Sequence, residues 1–69
     1  MQIIKKFNVE GMSCSHCERA VKNEINELNG ILDVEVDLEG KTVTVKYDEM
    51  LVTEADLAGA IVEAGYEVV

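Results

Sequence analysis

The spacing of apolar residues along the chain predicts six elements of secondary structure. Apolar side chains at almost every second position, which are typical of half-buried strands, occur at residues 3–9, 32–38 and 43–47. Residues 15–28 and 53–64 instead repeat their apolar side chains every three or four positions, as amphipathic helices do. A short strand is predicted at residues 66–69. The predicted order is therefore strand, helix, strand, strand, helix, strand.

The first predicted helix begins directly after a loop that contains glycine. Its apolar stripe consists of Cys17, Val21, Ile25 and Leu28. Ser13 or Ser15 is expected to cap its N-terminus, and the Asn-Gly pair at 29–30 is expected to end it in a left-handed turn. Glu18 and Lys22 lie four positions apart, a spacing that favours an ion pair on the exposed side.

The second half of the chain has the same strand-helix-strand order as the first. A tight turn at residues 39–40 predicts a β-hairpin between the two middle strands. Thr53 and Asp56 have the spacing of a capping box at the start of the second helix, and Gly65 is expected to end it. This order indicates an α+β fold of the ferredoxin-like βαββαβ type, with a four-stranded antiparallel sheet and two helices on one face.

Composition and charge narrow the class of protein. The chain has 69 residues, of which 48% are hydrophobic, and this suits one small packed domain. Its formal net charge of −8 repels phosphate backbones, so nucleic acid is not expected as a partner. No apolar run approaches the roughly 20 residues of a membrane-spanning helix, and residues 1–7 lack the features of a secretory signal. We therefore expect a cytoplasmic protein with no membrane insertion.

The only two cysteines, Cys14 and Cys17, lie where the first loop enters the first helix. Their spacing lets both sulfurs converge on one ion, and the amide groups of a helix N-terminus favour the thiolate form, most of all for Cys17. Two thiolates without further obvious ligands suit a soft cation that accepts a low coordination number, Cu(I) above all. Cys14 and Cys17 are therefore the predicted metal ligands, in a roughly linear arrangement.

Other interpretations of the cysteine pair remain open. A dithiol redox centre has the same spacing, although the thioredoxin-like fold that normally carries one is longer and has another element order. A structural zinc site needs four ligands, and the loop offers only the cysteines and His16. Hg(II) also favours two thiolates, and Zn(II) could bind weakly. No arrangement typical of a catalytic site is evident, so no enzyme activity is expected.

The segment Gly11–Cys17, with the sequence Gly-Met-Ser-Cys-Ser-His-Cys, carries a resemblance to a known family. Together with the ferredoxin-like order and the Gly-Tyr pair at 65–66, it resembles the heavy-metal-associated domain family, and within it the bacterial CopZ-type copper chaperones. The resemblance covers essentially the whole chain, so residues 1–69 are expected to form a single heavy-metal-associated domain. It implies Cu(I) as the bound ion, with Cys14 and Cys17 as the matching ligands of the motif.

The resemblance also implies a biological role in copper homeostasis and copper transport. A cytosolic copper chaperone of this family passes Cu(I) by thiolate exchange to the metal-binding domain of a copper-transporting P-type ATPase. Met12 is implied to turn inward and brace the loop, whereas Tyr66 either shields the sulfurs or packs in the core. His16 is more readily read as an exposed loop side chain than as a third ligand. A monomer is expected without metal, and two chains sharing copper would form a homodimer.

Two further points are left open by the sequence. The same motif and fold also occur in metal-binding domains that are parts of copper ATPases, so the chain could be such a domain excised from a longer protein. Met50 has no spacing that makes it a ligand together with Met12, and it is interpreted as a filler of the loop or the core.

Overall fold

The structure is a computed structural model that describes all residues from Met1 to Val69. Its elements are β1 (Gln2–Glu10), α1 (Ser15–Asn26), β2 (Ile31–Asp37), β3 (Thr42–Asp48), α2 (Glu54–Glu63) and β4 (Glu67–Val68). The predicted βαββαβ order is confirmed, and the predicted last strand is shortened to two residues. Neither helix is long and apolar enough to cross a membrane.

The four strands form one antiparallel sheet in the order β2-β3-β1-β4. The central strands β1 and β3 pair from Gln2 opposite Asp48 to Asn8 opposite Thr42. The short strand β4 pairs with the other side of β1 only at its C-terminal end, where Glu67 lies opposite Glu10. The start of β4 therefore lies beside the loop that leads from β1 to α1.

Both helices turn their apolar sides to the sheet and form one core with it. Thirteen residues are buried, and none of them is charged. α1 contributes Val21 and Ile25, and α2 contributes Leu57 and Ile61, each of which is fully buried. The apolar stripes predicted for the two helices thus face the core.

The alternation predicted for the second strand is wrong at Leu32. The apolar pattern places Leu32 on the buried face with Val34, yet 49% of its surface is exposed. The pairing of β2 with β3 shifts register between Ile31 and Asp33, which is the signature of a β-bulge. The bulge turns Leu32 away from the core, and Ile31 packs against the core instead.

The two helices begin in different ways. In α1 the N-cap residue is Cys14, not Ser13 or Ser15 as predicted, and its side chain makes no capping hydrogen bond. In α2 the predicted capping box is present. The Thr53 hydroxyl accepts from the Asp56 N–H at 3.2 Å, and the Asp56 carboxylate accepts from the Thr53 N–H at 3.1 Å. A cysteine thus occupies the position in α1 where helices usually place an oxygen acceptor.

The end of α1 is set by packing as well as by backbone conformation. The helix ends at Asn26, two residues before the predicted end, and the chain then turns through Gly30 with φ +100°. A β carbon at Gly30 would lie 2.8 Å from Cβ of Leu51, so both the conformation and the space require glycine. On the exposed side of α1, the predicted ion pair joins Lys22 Nζ to Glu18 Oε2 at 3.3 Å.

Candidate metal centre

The loop between β1 and α1 is anchored to the core at one residue. Gly11 has φ +97°, a backbone conformation that favours glycine. The next residue, Met12, is only 5% exposed and belongs to the hydrophobic core. Its side chain therefore packs beneath the loop, as expected for a residue that braces it. The remainder of the loop, up to Cys14, is exposed.

The two cysteines come together at the N-terminus of α1. Their sulfur atoms lie 3.5 Å apart, and both thiols are free. The Cys17 N–H donates to the Cys14 carbonyl at 3.1 Å, which closes the first helical turn and sets the two side chains on one side of it. Cys14 is exposed to solvent, whereas Cys17 is half-buried against the core. An incoming group can therefore reach Cys14 without any change in the fold.

The surroundings of Cys17 favour its thiolate form. The pKa of Cys17 is lowered from the ordinary 9.0 to about 6. The largest cause is a hydrogen bond from the backbone N–H of Ser13, followed by hydrogen bonds from the Tyr66 hydroxyl and the Cys14 thiol, while desolvation acts in the opposite direction. The lowered pKa therefore favours, at neutral pH, the thiolate form of Cys17, which is the form in which a cysteine can bind a metal.

Tyr66 lies over the loop, and its hydroxyl is near enough to Cys17 for each to affect the pKa of the other. A β carbon at Gly11 would lie 3.3 Å from Tyr66 Cδ1, so the ring lies directly over this glycine. The hydrogen bond with Cys17 is the largest cause of the raised pKa of the Tyr66 hydroxyl. The ring is half-buried and also packs against the core. The structure therefore combines the two roles that the sequence left as alternatives.

The cysteine pair occupies the positions of a helix cap. Cys14 is the N-cap of α1 and Cys17 follows three residues later, which are the positions of Thr53 and Asp56 in the capping box of α2. In the first half of the fold, two cysteines occupy these positions, but the Cys14 side chain accepts no capping hydrogen bond. The N-cap position of Cys14 was not predicted, although the three-residue spacing shared by the two strand-helix-strand halves is a signal for it.

Few other side chains compete for a metal at this loop. His16 is exposed between the two cysteines. The structure contains no group of three or more His, Cys, Asp or Glu side chains that could hold a metal ion. The donors that the loop itself brings together are the sulfurs of Cys14 and Cys17.

Because a cysteine occupies the N-cap of α1, we expect one substitution there to increase the stability of the metal-free protein. In Cys14→Ser, the hydroxyl can accept from the free N–H groups of the first turn, so the free energy of unfolding should rise by about 0.5–1 kcal/mol. Urea unfolding of the reduced, metal-free proteins measures this change. Ser15→Ala, at the next position, is the control and should change stability less. A Cys14→Ser protein no more stable than the unsubstituted one would contradict the capping argument.

The contact with Tyr66 predicts a shift in the titration of Cys17. Tyr66→Phe keeps the ring but removes the hydroxyl, so the pKa of Cys17 should rise above about 6. It should stay below 9.0, since the larger effect of the Ser13 N–H remains. Thiolate absorbance in the ultraviolet follows the titration in a Cys14→Ser background, where Cys17 is the only thiol. An unchanged midpoint would show that the hydroxyl does not stabilise the thiolate.

The same pKa sets the pH dependence of stability. Between about pH 6 and pH 9, the unfolded chain holds a proton on Cys17 that the folded chain has lost. The contribution of Cys17 to the stability of the metal-free protein is therefore absent below about pH 6, grows with rising pH, and is complete above pH 9. In Tyr66→Phe, the lower limit of this pH range should move above about pH 6, while its upper limit stays near pH 9.

The fold and the dithiol loop together define a class of small metal-carrying domains. Residues 6–67 match the heavy-metal-associated domain family, and the chain belongs to that family. Its members carry metal ions and are not enzymes, so the expectation that this chain has no enzyme activity is confirmed by its family. The ferredoxin-like fold is confirmed in the same way.

Proteins named as copper chaperones are among the relatives of this chain. The chain is 47% identical to a protein named copper chaperone CopZ from Staphylococcus haemolyticus. The alignment spans 66 residues, which are 96% of this chain and 97% of the relative. A solved structure of a CopZ metallochaperone has a TM-score of 0.95 and 40% identity, covering 97% of this chain and all of the other. The predicted resemblance to CopZ-type chaperones is confirmed.

A further solved structure belongs to a transporter. It is the N-terminal domain of a potential copper-translocating P-type ATPase from Bacillus subtilis in the Cu(I)-loaded state. Its TM-score is 0.92 at 29% identity, over 99% of this chain and 85% of the other. The same fold therefore occurs in a chaperone and in a domain of a transporter.

Proposed function

We propose that this protein is a copper chaperone that binds Cu(I) between the thiolates of Cys14 and Cys17. The observation that carries the proposal is the pair of free sulfurs 3.5 Å apart, with the pKa of Cys17 lowered to about 6. Thiolates are soft donors that select Cu(I) over hard cations. The CopZ relatives, which match this chain over nearly their whole length, support copper as the cargo.

The arrangement of the loop suits a low-coordinate ion. Bonds as long as those of zinc to thiolate, about 2.3 Å, would place two sulfurs on opposite sides of an ion roughly 4.6 Å apart, so the pair needs to open by about 1 Å. Cys14 is the residue free to move, because it is exposed, whereas Cys17 is held by hydrogen bonds and core contacts. We therefore assign Cys17 as the fixed ligand and Cys14 as the mobile one.

We further propose that Cu(I) leaves by thiolate exchange with the metal-binding domain of a copper-transporting P-type ATPase. An acceptor thiolate forms a third sulfur–copper bond, the bond to exposed Cys14 breaks, a second acceptor thiolate binds, and the bond to Cys17 breaks last. Copper remains Cu(I) throughout, and each released thiolate can take up a proton from water. The Bacillus subtilis ATPase domain, solved in the Cu(I)-loaded state, has the same fold as this chain, which supports a domain of this kind as the acceptor.

Several finer points belong to this proposal. The protein acts in the cytoplasm, as a monomer when metal-free, and copper shared between two loops would form a homodimer. Residues 1–69 act as one domain. The sulfur separation of 3.5 Å is also compatible with disulfide formation, so a dithiol redox role is the second candidate. A copper chaperone passes Cu(I) to its partner, whereas a dithiol redox protein passes electrons.

Transfer in the presence of a coloured Cu(I) chelator tests the proposal. The Cu(I)-loaded protein is mixed without oxygen with the reduced, isotope-labelled Bacillus subtilis ATPase domain, and NMR follows the loop of that domain. Direct exchange predicts that copper reaches the domain while little coloured complex forms. Equal colour with and without the domain would contradict exchange. Cys17→Ser should bind too weakly to donate, whereas Ser15→Ala, between the cysteines, should donate normally.

A further inference from the structure

Two methionine side chains are exposed at the end of the sheet opposite to the dithiol loop. Met1 is 81% exposed and Met50 is 80% exposed. Thioether side chains usually fill gaps in a core, as Met12 does. Of the two roles predicted for Met50, filler of the loop or of the core, the core role is wrong: Met50 lies in an exposed turn, and its thioether is free to contact other groups.

The backbone brings these two methionines together, although they are 49 positions apart in sequence. One carboxylate oxygen, Oδ1 of Asp48, accepts from the amino group of Met1 at 3.3 Å and from the N–H of Met50 at 3.0 Å. The N–H of Glu49 also donates to the carbonyl of Met1 at 3.1 Å. The main-chain nitrogens of Met1 and Met50 thus lie within two hydrogen-bond lengths of each other.

The segment that carries Met50 is an ordered turn. The N–H groups of Leu51 and Val52 both donate to the carbonyl of Asp48, at 3.0 and 3.1 Å. Val52 is buried and fixes the end of the turn in the core. Because the turn is held on both sides, only the methionine side chains have to move, and their unbranched chains allow both sulfurs to converge on one ion.

The donor set favours a soft ion. Thioether sulfur selects Cu(I), whereas Mg²⁺ and Ca²⁺ need several oxygen ligands. The Asp48 carboxylate beside the pair is matched by the ammonium group of Met1 at 3.3 Å, so the thioethers alone decide the choice of ion. β1 spans nine residues, and at about 3.3 Å per residue its two ends are more than about 25 Å apart. No ion can therefore be shared with the dithiol loop.

We propose that the thioethers of Met1 and Met50 form a second, weaker binding site for Cu(I) at the end of the sheet opposite to Cys14 and Cys17. The choice of ion rests on the proposed copper function, but the site itself does not depend on the cysteines. The protein should therefore take up more than one equivalent of Cu(I), with the second equivalent held by thioethers and readily removed by a chelator.

The test uses the Cys14→Ser/Cys17→Ser protein, with the methyl carbons of its methionines labelled for NMR. Cu(I) is added without oxygen, and the three methyl signals are followed. The signals of Met1 and Met50 should shift together and saturate at one equivalent, while that of buried Met12 stays in place as an internal reference. Met50→Leu should weaken the response of Met1 at least tenfold, since one of two ligands is lost.

Three results would overturn the second site. They are signals of Met1 and Met50 that do not move with excess Cu(I), a response of Met1 that is unchanged in Met50→Leu, and a response of Met12 parallel to that of the exposed methionines. Because this protein lacks both thiols, such a failure leaves the chaperone proposal standing. Conversely, if the unsubstituted protein did not bind Cu(I) tightly at Cys14 and Cys17, the chaperone proposal would fail and the thioether site would still stand.

Discussion

Replacing either cysteine by serine should weaken Cu(I) binding by at least about a thousandfold, because a two-thiolate site then loses half of its soft donors. The effect should be similar for Cys14→Ser and Cys17→Ser. Each variant should remain folded, since Cys14 is exposed and Cys17 is only half-buried at the edge of the core. Competition with a Cu(I) chelator of known affinity, under reducing conditions without oxygen, measures the loss.

The control for this experiment lies between the two ligands. Ser15→Ala changes an exposed residue of the same loop and should leave the affinity within a few-fold of the unsubstituted protein. Unchanged affinity in both cysteine variants would refute the assignment of the site. Loss in Cys17→Ser alone would show that the ion is held by one thiolate together with another ligand, such as His16.

Leu57→Ala should destabilise the metal-free protein strongly. Leu57 is fully buried in α2, and deleting its side chain leaves a cavity that costs about 3 kcal/mol. A domain of this size is marginally stable, with about 5 kcal/mol in total, so the variant should lose most of its stability. Urea unfolding of the metal-free protein measures the loss.

Leu32→Ala is the matched control for this prediction, because it removes the same atoms from a residue that the bulge turns outward. Its cost should stay below about 1 kcal/mol. If Leu32→Ala cost as much as Leu57→Ala, then Leu32 would point into the core as the simple alternation predicts, and the bulge in β2 would be absent.

The sequence predicts the fold well because most elements have an unambiguous period. The helical stripe that contains Val21 and Ile25 and the capping box of Thr53 and Asp56 are both found where expected. Leu32 could not be placed, since a bulge shifts one residue between the faces of a strand without changing the pattern of residue types. The bounds of β4 depend on how much of β1 it can pair with, and this is a tertiary property.

The candidate site is predicted in part. The spacing of Cys14 and Cys17 indicates that their sulfurs converge, and the structure brings them within 3.5 Å. The effect of Tyr66 on the pKa of Cys17 depends on β4 lying next to the end of β1, which no local pattern reveals. The proximity of Met1 and Met50 likewise follows only from the pairing of β1 with β3.

The placement of Cys14 shows how function and stability oppose each other in this loop. A serine, threonine or aspartate at the N-cap would satisfy the free N–H groups of α1, as Thr53 does in α2. Cysteine leaves them without a side-chain acceptor. The same unsatisfied N–H groups favour negative charge, so the weak cap contributes to a site that accepts a thiolate–metal complex.

X-ray absorption at the copper edge tests the central claim most directly. The protein is loaded with less than one equivalent of Cu(I), so that the dithiol fills first, and sedimentation confirms that it is monomeric. We predict two sulfur neighbours around copper and no nitrogen or oxygen neighbour. A nitrogen neighbour, or the same two sulfur neighbours in a Cys14→Ser/Cys17→Ser/Met50→Leu protein, would contradict a site built from Cys14 and Cys17 alone.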